Sequence, residues 1–127
     1  MPVTVLLADD AEVALHAVRD FLTHSSDIEL VGLAKDFNEA VHLANGLRPQ
    51  VIVMDLHMTQ GSPQDVRKSL PLGRSRLLAM SVSNDEHAKS LAESFGASML
   101  LDKMNFSKEL VPAIKKLALP IARTVGR

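Results

Sequence analysis

The sequence predicts an α/β protein built on one open, doubly wound parallel sheet with helices on both faces. Three observations carry that prediction. Five short runs rich in Val, Ile, Leu and Met recur along the 127 residues. Stretches with apolar residues at helical spacing separate them. Four of the runs end abruptly on a polar residue capable of chemistry. Continuous apolar runs, rather than alternating ones, are expected of strands covered on both faces.

Val3–Ala8 (VTVLLA) is the first strand, and Ala14, Ala17, Val18, Phe21 and Leu22 mark a helix after Asp10. Ile28–Ala34 is the second strand. Asp36 and Glu39 stand at capping-box spacing before Ala40, Leu43 and Leu47, and Pro49 prevents continuation. Val51–Met54 is the third strand. Ser62, Pro63 and Asp65 read as N-cap, N1 proline and N3 acid of a short helix that Pro71 ends. Leu77–Met80 is the fourth strand, followed by a helix from Asp85 to Phe95 with Gly96 as its stop. Ser98–Leu101 is the fifth strand. Ser107 is expected to cap a last helix running to about Leu119, before Pro120. Pro112 falls inside that helix, removes a backbone donor and predicts a kink or a late start.

Five βα units of this length imply a five-stranded parallel sheet. Right-handed crossovers leave few topologies, and the flavodoxin-like order 2-1-3-4-5 is the expected one. Residues 1–119 are expected to form one domain, with 120–127 (PIARTVGR) a linker stub or a frayed end.

Composition narrows the function. Hydrophobic residues make up 46% and charged residues 23%, with net charge −1 and no basic run. Nucleic-acid or membrane binding through bulk charge is therefore not expected. The absence of cysteine excludes disulfides, thiolate nucleophiles and Cys-based zinc sites. The N-terminus lacks a basic n-region, and no stretch approaches the roughly 20 apolar residues of a membrane span. A cytoplasmic location is the expectation.

The stretch VIVMDLHM, residues 51–58, runs from four apolar residues straight into Asp55. Other strands end the same way. VTVLLA precedes Asp9 and Asp10, LLAM precedes Ser81, and SMLLD precedes Lys103. Parallel strands gather these residues at the carboxyl edge, where open α/β sheets bind ligands. Three close carboxylates repel, so they require raised pKa values or a cation. Hard oxygen ligands suit Mg²⁺. With a hydroxyl and an ammonium beside them, the set suits phosphoryl transfer, with Asp55 as nucleophile. A Gly-x-Gly-x-x-Gly turn, a Walker sequence and a Gly-x-Ser-x-Gly elbow are all missing.

In these residues the sequence resembles the receiver domain of bacterial two-component response regulators, over essentially the whole chain. The stretch ADDAEVALHAVRDFLTHSSDIELVGLAKD is most similar to receivers that precede LuxR-type helix-turn-helix output domains. The resemblance implies that Asp55 is the phosphoacceptor, charged by a histidine kinase or phosphorelay protein. It implies Mg²⁺ ligation by Asp10 directly, by Asp9 largely through water, and by Asp55 and the His57 backbone carbonyl. Lys103 would pair with the phosphoryl group, and Ser81 would swing its hydroxyl onto it and draw the following loop along. The implied role is a phosphorylated switch in signal transduction, with control of transcription as one output.

Four departures from the family pattern bear on the switch. Leu100 stands where an aromatic residue usually couples the hydroxyl shift to the output face, and the chain has no Tyr or Trp. Thr59 and Met104 replace two common prolines, and the TQGSPQ loop is atypical. Val82, where a small residue is common, is expected to narrow access to Asp55 and, with His57, to tune the lifetime of the phosphoryl group.

Plainer readings stand beside these. Asp9 or Asp10 could be a helix cap, Asp55 and Ser81 solvated strand ends, and Lys103 a surface lysine. His16, His24, His42 and His87 lack ligand spacing and are expected at the surface. Met54, Met80 and Met99 read as core filler. Two other functions remain open: a pseudo-receiver acting as a binding module, and an aspartyl phosphatase. The second lacks its usual Asp-x-Asp acid, because position 57 is His. No turnover of an external substrate is expected. Helices 1, 4 and 5 are the candidate faces for a partner or a homodimer.

Overall fold

The computed structural model describes residues 2–58 and 61–118. β1 (Val3–Ala8), β2 (Ile28–Ala34), β3 (Val51–Asp55), β4 (Arg76–Ser81) and β5 (Met99–Asp102) form one sheet in the order β2-β1-β3-β4-β5. Every neighbouring pair is parallel. The connections are α1 (Glu12–Thr23), α2 (Phe37–Leu47), α3 (Pro63–Ser69) and α4 (Glu86–Phe95), and α5 (Phe106–Leu117) follows β5. The expected fold and strand order are both observed.

Side chains alternate across the sheet and build a core on each face. Leu6, Ile52, Met54, Leu77 and Ala79 pack with Phe37 and Ala44 of α2, Val66 of α3, and Ala92 and Phe95 of α4. Val5, Leu7, Val53, Leu78 and Met80 pack instead with Leu15, Val18 and Leu22 of α1 and Leu110 and Ile114 of α5. Met54 and Met80 are buried core residues, and Met99 packs half-buried against the second core. The central strands β1, β3 and β4 are almost wholly buried, as continuous apolar runs require. β2 and β5 are edges and stay half-exposed along most of their length.

Local signals account for most helix ends. Asp36 Oδ1 accepts the Glu39 amide at 2.7 Å, and Glu39 reaches back 2.8 Å to the Lys35 amide, one residue before the cap. Ser62 and Asp85 cap α3 and α4 through their side chains. Gly96 closes α4 in the left-handed region at φ 83°.

The start of the last helix differs from expectation. Asp102, not Ser107, accepts the Met104 amide at 2.9 Å and opens a 3₁₀ turn over Lys103–Asn105 that runs directly into α5. An acid closing β5 captures the first free amide before Ser107 is reached. Ser107 is therefore the second residue of α5, which begins at Phe106. Pro112 lies inside the helix rather than at a late start, and the helix ends at Leu117. Leu119 and the expected tail, 120–127, lie outside the described residues.

Candidate functional site

β1 and β3 are adjacent and in register, with Ala8 opposite Met54. Asp9 and Asp55 follow those residues, so both carboxylates leave the same edge side by side. β3 and β4 pair Asp55 with Met80, which puts Ser81 one residue further on. β5 closes the row by pairing Asp102 with Ser81, and Lys103 follows. The sheet thus brings together residues spread from position 9 to position 103.

Carboxylate oxygens of Asp9, Asp10 and Asp55 lie within 4.8 Å of one another. Asp9 and Asp55 are buried, at 4% and 6% exposure, and Asp10 is exposed. The two buried acids are held alike. Asp9 Oδ1 accepts the Ala11 amide at 3.0 Å, and Asp55 Oδ1 accepts the His57 amide at 3.3 Å. Their other oxygens face Lys103 Nζ, 2.7 Å from Asp9 and 3.6 Å from Asp55. The ammonium therefore sits closer to Asp9 than to Asp55. Neither Asp9 nor Asp10 occupies the N-cap of α1, which is Ala11 with no side-chain cap.

Burial pushes the Asp55 carboxyl above its ordinary value of 3.8, and the Asp9 charge adds to the effect. The Lys103 charge and the His57 amide pull the other way without cancelling it. Burial would lower Lys103, but its hydrogen bond to Asp9 and the charges of Asp55 and Asp9 outweigh that and raise it. Three carboxylates against one ammonium leave an excess of negative charge. That donor set fits a hard divalent cation.

Ser81 is fully buried and its Oγ accepts the Ser83 amide at 3.2 Å. The His57 ring, expected to act only on the lifetime of the phosphoryl group, places Nε2 3.1 Å from that same Oγ. Only its position two residues after a strand-end acid hinted at this. His16, His24, His42 and His87 are exposed, as expected. Val82 is 65% exposed. It lines an apolar groove of about 310 Å³ with Ala14, Val18, Lys103, Met104 and Phe106, beside the acids. Leu100 is half-buried against the core beneath α2–α4. Thr59 lies outside the described residues.

The response regulator receiver domain model matches residues 5–115. The chain belongs to this receiver family. A receiver is a module of two-component signal transduction that switches on phosphorylation. This one is 29% identical over 120 residues to the response regulator protein VraR of Staphylococcus saprophyticus, covering 91% of this chain and 56% of that protein. It is 35% identical over 108 residues to protein-glutamate methylesterase/protein-glutamine glutaminase 3 of Myxococcus xanthus, covering 82% of this chain and 30% of that protein. The receiver thus spans about half, or less, of these relatives. The response regulator domain of Thermotoga maritima CheB superposes with TM-score 0.80 at 24% identity, over 93% of this chain and 97% of that one. A LuxR-family response regulator from Aurantimonas does so with TM-score 0.82 at 23% identity, over 93% of this chain and 86% of that one. Among the described residues, no helix of the receiver is long and apolar enough to cross a membrane.

Proposed function

We propose that Asp55 is the phosphoacceptor of this receiver and that a histidine kinase or phosphotransfer protein is its donor. One observation carries the reading. A buried carboxylate at the end of β3 has two further carboxylates within 4.8 Å, with Lys103 at 3.6 Å. An Asp55 oxygen attacks the phosphorus of a phosphohistidine, the P–N bond breaks, and the imidazole leaves with the electron pair. Asp55 is held for this by its hydrogen bond from the His57 amide. Its raised pKa reflects a carboxylate poorly solvated when charged, which favours nucleophilic attack.

Mg²⁺ is the cation this oxygen set suits, and Asp10, Asp9, Asp55 and the His57 carbonyl would hold it. When bound it neutralises charge on the transferring phosphoryl group. Lys103 would move from Asp9 toward that group, and the Ser81 hydroxyl would donate to one of its oxygens. Contacts available in only one conformer shift the population, and the segment after β4 moves with Ser81. The LuxR-family neighbours support control of transcription as the output, in the cytoplasm, and the methylesterase relatives mark the other output class. The pseudo-receiver alternative finds no support in a site where every acid, the hydroxyl and the ammonium are present.

Beryllofluoride, a mimic of the aspartyl phosphoryl group, tests the assignment. Mg²⁺-dependent binding to wild type, lost in Asp55→Asn, is the expected result. No binding at millimolar concentration overturns it in favour of the pseudo-receiver. Turnover of a free phosphomonoester by wild type would instead support the phosphatase.

A further inference from the structure

We infer that the His57 ring is a latch on the Ser81 hydroxyl, holding its proton away from Asp55 until a phosphoryl group competes for it; this rests on Asp55 being the acceptor. A serine hydroxyl has one proton to give and two lone pairs to offer. Ser81 has no exposed surface, so its proton needs a protein acceptor. The Ser83 amide at 3.2 Å is a donor and uses a lone pair. His57 Nε2, at 3.1 Å, is the one partner able to accept from the hydroxyl among the described hydrogen bonds, the ring tautomer deciding the direction. No buried side-chain polar atom among the described residues lacks a partner. The network therefore assigns the neutral ring with its proton on Nδ1 and Nε2 receiving the Ser81 proton.

The hydroxyl serves one acceptor at a time. A phosphoryl oxygen on Asp55 is charged and is the stronger acceptor. Capture of the phosphoryl group by Ser81 thus breaks the bond to His57 and frees a ring that is exposed on the segment leading from β3 to α3. This gives the hydroxyl shift a route outward that needs no aromatic residue at position 100, where Leu100 packs into the core under α2–α4. His57 acts through Ser81 and is a positioning residue.

The ring nitrogens give the first test, in free protein without any phosphoryl mimic. Nitrogen NMR of wild type should show the Nδ1–H tautomer of His57, with the Nε2 signal moving in Ser81→Ala. An Nε2–H tautomer, or a signal indifferent to Ser81, overturns the latch whatever Asp55 does. The second test is beryllofluoride affinity with Mg²⁺. His57→Phe keeps a ring without an acceptor and should bind roughly two- to tenfold more tightly, the weight of one neutral hydrogen bond. His57→Gln, which keeps an acceptor, should stay near wild type. In a Ser81→Ala background, His57→Phe should change nothing. Equal affinities of wild type and His57→Phe, or a gain that persists without Ser81, overturn the latch. Absence of binding by wild type and His57→Phe alike overturns the Asp55 assignment, whereas binding by His57→Phe alone upholds that assignment and the latch together.

Discussion

Replacing Lys103 with Met removes the one cation from a buried pair of acids while keeping most of the side-chain volume. The ammonium stands 2.7 Å from Asp9 and 3.6 Å from Asp55, and the two carboxylate side chains are 6% and 8% exposed. At an effective dielectric constant of about 20, those attractions amount to about 6 and about 5 kcal/mol. The acids approach within 4.8 Å of each other, a repulsion of about 3 kcal/mol on the same scale. These are gross terms, and recovering the hydration of Lys103 offsets much of them. Removing one partner of a buried pair costs about 3–5 kcal/mol, and the 14% exposure of Lys103 points to the lower end. Lys103→Met should therefore lose about 3 kcal/mol of stability at pH 7 in EDTA, roughly 10 °C or more in Tm. Urea denaturation followed by circular dichroism measures it. Saturating Mg²⁺ should narrow the gap, because Asp9 no longer has an ammonium competing for its oxygen. Acid should narrow it too. Asp55 already has a raised pKa, and losing Lys103 removes a charge that lowers it. The variant therefore takes up its proton first as pH falls. A loss below about 0.5 kcal/mol, or one untouched by acid and by Mg²⁺, would refute the electrostatic account of this site.

Two further outcomes follow from the same geometry. Asp55→Asn should stabilise the metal-free protein at pH 7. A carboxyl whose folded pKa is raised contributes stability that is complete below 3.8 and is lost as pH rises through the folded value. The gain over wild type should therefore vanish below that pH, and urea midpoints across a pH series in EDTA would show it; a gain constant with pH contradicts it. Asp36→Ala should cost about 1 kcal/mol by removing the cap on the Glu39 amide, read as a lower urea midpoint with unchanged slope. No loss there would mean that α2 is held by packing alone.

Much of the fold was legible because its signals are local. The apolar run Val51–Met54, the Ser62-Pro63 start of α3 and the Gly96 stop of α4 each involve neighbours within a turn. Strand order was legible by elimination, since crossover handedness leaves few arrangements. The gathering of Asp9, Asp10, Asp55 and Lys103 followed from parallel strands sharing one edge. Ser107 misled because a capping residue before an apolar periodic run is a real signal. Asp102 stands earlier in the chain and takes the Met104 amide that opens the turn.

The order of strands and helices, the two-sided core and the presence of acids, hydroxyl and amine at one rim were written in the amino-acid order, because each depends on periodicity or chain direction. Which acid holds the lysine, and what the histidine ring touches, were not. Lys103 lies 94 positions from Asp9 and 48 from Asp55 in chain numbering, and 2.7 Å against 3.6 Å decides between them. His57 and Ser81 are 24 residues apart and meet through a single 3.1 Å contact. Differences of an ångström arise from strand register and side-chain rotamers acting together, and only the packed molecule sets those.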